Sequence, residues 1–348
     1  MSFDPNAAAA PGSGIFGLPH DEEAARVVLV PVPFDATTSY RKGAARGPGA
    51  ILEASRQVDL FDLETGRPYE VGIHMLDEPG EIVRWNAEAN ALSEGIIAVG
   101  GNLQGDPRLV EDLARVNALS GEVNEWVRRE VTRLLDAGKI VGLVGGDHAV
   151  PFGSIEAHAA RHPGLGVLHF DAHADLRPAY EGFAWSHASI MANVVDRLPG
   201  VARLVQVGIR DLSEEEYRKI EDSNGRIVAH YDVDLRRAVR SGRSWDSIAA
   251  RIVESLPNEV YVSFDIDGLD PALCPSTGTP VPGGLAFHEA TAILEAVAIS
   301  GRRIVGFDLN EVAPGPEGDE WDANVGARLL YKLIGWTLVS RGLSRSPR

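Results

Sequence analysis

Leu165-Gly166-Val167-Leu168-His169-Phe170-Asp171-Ala172-His173-Ala174-Asp175 runs from an apolar stretch directly into acids and imidazoles. The part before Asp171 has the composition of a strand buried on both faces, as parallel strands are. Side chains of an extended chain alternate faces, so Asp171, His173 and Asp175 are expected to point the same way. Two other segments share the arrangement. Val260-Tyr261-Val262-Ser263-Phe264 leads into Asp265-Ile266-Asp267, and Lys139-Ile140-Val141-Gly142-Leu143-Val144 leads into Gly145-Gly146-Asp147-His148. Ligands of open parallel sheets gather outside the strand carboxyl ends, which would bring the three segments to one cleft. An isolated Asp-x-Asp is ordinary turn chemistry. Four carboxylates gathered in one place are another matter, because burying them without cations is prohibitively costly. Together the segments read as a hydrolytic site for two metal ions.

Outward from these segments, eight stretches read as strands: 26–32, 70–76, 139–145, 165–171, 203–209, 226–231, 259–265 and 303–309. Helical patterns separate most of them, which indicates an α/β fold with a mainly parallel sheet of about eight strands. The 122–137 helix buries Val123, Val127, Val131, Leu134 and Leu135 on one face and ends at Gly138, a suitable C-cap. Further helices are expected at 46–57, 187–198, 213–222, 245–255, 287–299 and 323–340. Ala87 to Asn117 has weaker periodicity and a loop-like Gly100–Pro107 segment, so it reads as an insertion near the cleft or an oligomer contact. Residues 1–14 read as a flexible arm, 15–343 as one catalytic domain and 344–348 as a flexible tail.

Composition narrows the class. The chain has 348 residues, 44% hydrophobic and 24% charged, ordinary for a globular protein. No apolar stretch is long enough to span a bilayer and no signal peptide is evident, so a cytoplasmic location is expected. A net charge of −17 disfavours nucleic acid and anionic membranes as partners and is compatible with a cationic substrate. The single cysteine, Cys274, excludes an internal disulfide framework and reads as a small packed residue.

The three metal segments resemble the signatures of the ureohydrolases, the family of arginase, agmatinase and related guanidino-compound hydrolases. Ser263-Phe264-Asp265-Ile266-Asp267-Gly268-Leu269-Asp270-Pro271 is similar to one of them throughout. Pro31-Val32-Pro33-Phe34-Asp35, Gly43–Pro48, Thr277-Gly278-Thr279-Pro280 and Glu311-Val312-Ala313-Pro314 extend the likeness from about residue 26 to about residue 340. The resemblance implies a three-layer α/β/α fold, assembled as a homotrimer or homohexamer, with a mixed oligomer containing a paralogous subunit as the alternative. It also implies two divalent ions, Ni(II) or Mn(II). One would be held by His148, Asp171, Asp175 and Asp265, the other by Asp171, His173, Asp265 and Asp267. A hydroxide bridging the ions would attack a guanidinium carbon, releasing urea or a substituted urea plus an amine. Asp175 would relay a proton to the departing nitrogen, His187 would transfer protons from just outside the ligand set, and Glu311 would pair with the guanidinium. His169 is expected in the core or behind the ligands, and Asp147 as a residue that orients a neighbour.

Substrate choice is read from the segment after Asp175. An arginase would present a short polar series there, whereas this chain has Leu176-Arg177-Pro178-Ala179-Tyr180-Glu181-Gly182-Phe183-Ala184-Trp185. Tyr180, Phe183 and Trp185, with Trp321, suggest a compact aromatic pocket over a small planar cation. Taken with Ser186-His187-Ala188-Ser189-Ile190 and Leu273-Cys274-Pro275-Ser276-Thr277-Gly278-Thr279-Pro280, the chain most resembles the agmatinase-like guanidine hydrolase subgroup, which implies guanidine, an alkylguanidine such as dimethylguanidine, or a biguanide such as metformin as substrate. Agmatine and 4-guanidinobutyrate are the alternatives, the latter if Arg177 faces the pocket rather than pairing with an acid. A non-catalytic scaffold subunit is a further alternative that the intact ligand set speaks against. Single-zinc deacetylases would not need the second site, and two-metal phosphoesterases would need a phosphate-cradling loop that the sequence lacks.

Overall fold

In the computed structural model, which describes residues 3–316 and 319–347, all eight strands form one sheet. They are β1 (Val27–Val32), β2 (Ile73–Met75), β3 (Ile140–Gly145), β4 (Leu165–Phe170), β5 (Val201–Ile209), β6 (Ile227–Tyr231), β7 (Glu259–Asp265) and β8 (Arg303–Asn310). The order is β2-β1-β3-β8-β7-β4-β5-β6, and every pairing is parallel. Only β2 falls well short of expectation, because Pro68–Val71 winds into a 3-10 turn before it.

The helices are α1 (Gly47–Ser55), α2 (Gly80–Ala98), α3 (Pro107–Asp136), α4 (Phe152–Arg161), α5 (Ile190–Arg197), α6 (Glu214–Glu221), α7 (Asp232–Arg240), α8 (Trp245–Glu254), α9 (Phe287–Ile299) and α10 (Trp321–Ser340). They cover both faces, as a parallel sheet buried on both sides requires. Alternation along β1 shows the two cores: Val27 and Leu29 pack with residues of α1 and α10, and Val28, Val30 and Val32 pack with residues of α2 and α3. The result is the expected three-layer α/β/α arrangement.

The stretch read as an insertion is helical. α2 and the first half of α3 occupy it, and the loop between them is confined to about residues 99–106. Gly121 lies within α3, where a side chain would approach Trp185. The terminal segments touch the body of the fold. The Ser13 carbonyl accepts from the Arg56 guanidinium, and the Ser344 hydroxyl donates to the Thr65 carbonyl. Met1 and Ser2 of the expected arm, and Arg348 of the expected tail, lie outside the described residues. Among the described residues, no helix is long and apolar enough to cross a membrane.

Register brings the acid-bearing ends together. Phe170 of β4 lies opposite Phe264 of β7, and their rings stack at 4.6 Å, so Asp171 and Asp265 follow abreast. Gly145 and Gly146 end β3 in a close approach, since a Cβ at Gly146 would fall 2.0 Å from the Phe34 carbonyl oxygen. That contact turns the chain so that His148 enters the same space.

Candidate metal centre

Asp171, Asp175, Asp265 and Asp267 are all at most 4% exposed, as is His148. The His148 Nδ1 lies 3.0 Å from an Asp171 oxygen, 3.2 Å from Asp265 and 3.4 Å from Asp175. The His173 Nδ1 lies 3.1 Å from Asp267 and 3.4 Å from the other Asp171 oxygen. Asp171 thus presents one oxygen to each histidine, the arrangement of a carboxylate shared between two sites. Donor atoms about 3.0–3.4 Å apart are edges of a polyhedron around an ion bonded at about 2.1 Å. The donor set, oxygen-rich with one imidazole per subsite, suits Mn(II) and also accepts Ni(II).

Electrostatics make the same demand for positive charge. Burial, then the Asp171 charge, hold the Asp175 carboxyl well above the usual carboxylate range. Burial, then Asp267 and Asp171, do the same to Asp265. Burial alone would depress both histidines. Hydrogen bonds and charge from Asp171 and Asp265 instead hold His148 well above an ordinary imidazole, and Asp267 and Asp171 hold His173 there. The cluster gathers protons where cations would neutralise the carboxylates.

The convergence does not come from strand alternation. β4 ends at Phe170, before the three ligands, and Asp175 has left-handed backbone geometry at φ 54°. Asp265 closes β7 and accepts from the Asp267 backbone N–H at 2.8 Å, while Asp267 sits in the 3-10 turn Ile266–Gly268. Tight turns, rather than the alternation expected of an extended chain, aim the side chains. Such left-handed positions for non-glycine residues cost about 1–3 kcal/mol each and cluster at functional sites. Glu311, at φ 63°, is another.

Supporting groups settle both imidazole tautomers. The Ser263 hydroxyl donates to Asp308 at 2.9 Å, so it must accept from the His148 Nε2–H at 3.0 Å, which leaves the Nδ1 aimed at the carboxylates. The Gln206 amide donates to the His169 Nδ1 at 3.0 Å, so the His169 Nε2–H donates to Asp171 at 2.8 Å. His169 is therefore a buried support for a ligand. Asp147 accepts from the Thr37 hydroxyl and the Ala149 N–H, orienting the turn that carries His148. Sequence reasoning missed Ser263, Asp308 and Gln206. Ser263 was within reach, because it lies two residues before Asp265 in β7 and shares its face.

A cleft of about 510 Å³ opens beside the centre, lined in part by His173, Asp175, Arg177, Tyr180, His187 and Asp211. Burial, with the His173 charge adding to it, pushes the His187 imidazole down to about 4, so it is neutral near pH 7. Arg177 lies 3.5 Å from Glu216 and over the Tyr180 ring at 5.2 Å, which gives its charge a partner. Glu311 is buried. One oxygen accepts from the His148 backbone N–H at 2.9 Å, and the other has no partner.

The aromatic cage does not form. Trp185 packs edge-on against Phe152 with the Arg197 guanidinium 4.7 Å over its ring, and Phe183 is wholly buried with Ile96 and Val116. Trp321 is half exposed and donates to the Ala272 carbonyl. Neither Trp185 nor Trp321 lines the cleft; large rings found apolar neighbours instead, and Tyr180 alone of the group remains on its wall.

Parallel sheet, clustered acids and paired imidazoles define a metal-dependent hydrolase. The chain belongs to the arginase family, whose pattern it matches over residues 25–335, and it is a hydrolase of C–N bonds in linear amidines. It is 36% identical to the N(1)-aminopropylagmatine ureohydrolase of Thermus thermophilus, over 95% of this chain and 97% of the relative. It is 32% identical to the agmatinase of Bacillus anthracis, over 90% and 93%. The fold is that of the proclavaminate amidino hydrolase structure from Streptomyces clavuligerus, with a TM-score of 0.71 at 24% identity over 96% and 100% of the two chains.

Proposed function

We propose that this chain hydrolyses a guanidino compound with an extended, amine-ended arm, agmatine or a larger compound of that type, to urea and the amine. The carrying observation is the cleft. Its volume of about 510 Å³ runs from His173 and Asp175 past Arg177 and Tyr180 to Thr279 and Val281, far more room than a bare guanidinium needs. The tryptophans that would have narrowed it are packed elsewhere. Relatives named for agmatine and N(1)-aminopropylagmatine support the same reading. A guanidino acid is less well served, because Glu216 already answers the charge of Arg177.

The two subsites would hold divalent ions, manganese or nickel, through His148, Asp171, Asp175 and Asp265 and through Asp171, His173, Asp265 and Asp267. Bound there, the ions supply an acidified water as nucleophile and Lewis-acid polarisation of the reacting group. The chain does the rest. Glu311 lies behind the cleft wall, and by the family resemblance its unpartnered oxygen would accept a guanidinium N–H, which would end that orphaned state. Water adds across the C–N bond, so a proton must reach the departing nitrogen. Asp175, on the cleft wall, carries it, and neutral His187 exchanges protons between cleft and solvent. By family resemblance we also propose a homotrimer or homohexamer, which light scattering on the purified protein distinguishes.

The test is urea release by metal-loaded protein from agmatine, N(1)-aminopropylagmatine, 4-guanidinobutyrate, guanidine, 1,1-dimethylguanidine and metformin, each with Mn(II) and with Ni(II). Preference for the amine-ended compounds is expected. Turnover confined to the small guanidines or the biguanide would refute the extended-arm reading, and preference for 4-guanidinobutyrate would return Arg177 to the role of carboxylate receptor. Silence with every substrate would favour the scaffold alternative.

A further inference from the structure

A second cavity lies at the open edge of the sheet, outside the metal centre. It encloses about 290 Å³ between the end of β6, α7 and α8, and its walls include His230, Asp234, Arg243, Ile248 and Arg251. Alternation along β6 sends Val228 and His230 toward α8, where Val228 packs with Leu235 and Ile248. Ala229 and Tyr231 pack on the opposite face with Ile220. His230 thus belongs to the cavity by its side chain.

Three observations converge on an anion. The His230 Nε2 is sealed from solvent and has no hydrogen-bond partner. Among the described residues, Arg243 and Arg251 have no acid or side-chain hydrogen-bond partner, although the chain carries 50 acidic residues and a net charge of −17. The acid on the wall, Asp234, is committed to Arg237 at 2.9 Å. In so acidic a chain, two uncompensated guanidiniums around one concavity repel a cation, and an apolar occupant would leave the imidazole unsatisfied. Guanidinium forks match planar and tetrahedral oxyanions, and a neutral imidazole with its proton on Nε2 adds a further donor.

We infer that this cavity binds a small dianion, a phosphate group or a dicarboxylate, through Arg243, Arg251 and the Nε2 of His230. Such a ligand satisfies the buried imidazole and neutralises both guanidiniums. Burial, with the Arg251 charge adding to it, holds the His230 imidazole down at about 4, so occupancy should also raise its basicity. The site is independent of the substrate assignment above.

Histidine-labelled, metal-loaded full-length protein provides the test, with the His230 ring resonance assigned by its loss in His230→Gln. Sodium sulfate and sodium succinate are titrated separately at constant ionic strength, as tetrahedral and planar probes. A saturable His230 shift is expected, weakened at least about tenfold in both Arg243→Gln and Arg251→Gln and unchanged in Arg240→Gln, a nearby arginine off the cavity wall. Melting temperature and turnover of these variants verify that they fold. Tighter sulfate binding identifies a phosphate-type ligand, and tighter succinate binding a dicarboxylate. No saturable shift with either probe, or equal affinity in the arginine variants and the parent, overturns the inference.

Discussion

Replacing Ser263 with alanine should weaken one metal subsite and spare the other. The Ser263 hydroxyl is wholly buried, accepts from the His148 Nε2–H at 3.0 Å and donates to Asp308 at 2.9 Å. Alanine leaves the imidazole N–H facing a methyl group, a desolvation cost of about 1–3 kcal/mol. Asp308 keeps its bonds from the Asn310 amide and the Phe264 N–H, so the loss falls on His148. Released from its outer anchor, the ring no longer holds Nδ1 toward Asp171, Asp175 and Asp265. Loss of such a supporting bond typically lowers metal affinity about 10- to 100-fold, or about 1.4–2.7 kcal/mol. The second subsite is built on His173, whose Nδ1 lies against Asp267 and Asp171 and makes no bond to Ser263. Competition between metal-stripped protein and a chelator, followed with Mn(II), should therefore resolve one weakened and one unaltered binding event. Ser263→Thr, which keeps the hydroxyl, should restore the weaker event even if the added methyl lowers stability. Equal weakening of both events, or no change beyond about twofold in either, would refute the tautomer argument.

Glu311→Gln should lower kcat/KM at least about thirtyfold, because it removes the charged partner of a buried guanidinium, a loss of about 2 kcal/mol or more; steady-state kinetics with the preferred substrate measure it. Asn117→Ala removes two bonds to the turn that carries Tyr180, one to the Gly182 carbonyl and one from the Ala184 N–H. A KM increase of about three- to tenfold with unchanged metal content is expected, read from kinetics beside metal analysis. His158, whose imidazole burial pushes down from 6.5 to about 4, is neutral in the folded chain. Its contribution to stability is complete above about pH 6.5 and is lost as pH falls toward 4, since the unfolded chain takes the proton first. Between about pH 7.5 and about pH 5 this amounts to about 2 kcal/mol. Urea unfolding of His158→Gln at the two pH values should show a pH-dependent loss smaller by that amount, and an equal loss in both proteins would contradict it.

Strands were legible because parallel strands buried on both faces are written as short Val/Ile/Leu runs, and β4, β7 and β8 lie within a residue or so of where those runs begin and end. α2 and the start of α3 were not, for a physical reason. Val83, Val99 and Val110 are exposed there, which blurs the apolar stripe, and Gly121 resembles a helix end although it continues α3. That the six residues proposed to hold metal would gather in one place was legible, but not the turns that aim them, since the left-handed backbone at Asp175 has no glycine to announce it. Aromatic residues misled most. Trp185 was read as a pocket wall because it lies near Tyr180 in sequence, and its partners, Phe152 and Arg197, come from α4 and α5. Tertiary packing decided where those rings went.

Tyr180 and Phe183 close on each other across Glu181 and Gly182, both with positive φ, and the tip of this hairpin rests against the loop joining α2 to α3. A Cβ at Gly101 would fall 2.5 Å from the Glu181 Cα. The wall that faces the substrate is therefore propped from outside by helices that supply no metal ligand. Anyone wishing to redirect this enzyme to another guanidino compound could vary residues 99–117 and move Tyr180, leaving the hydrolytic machinery in place.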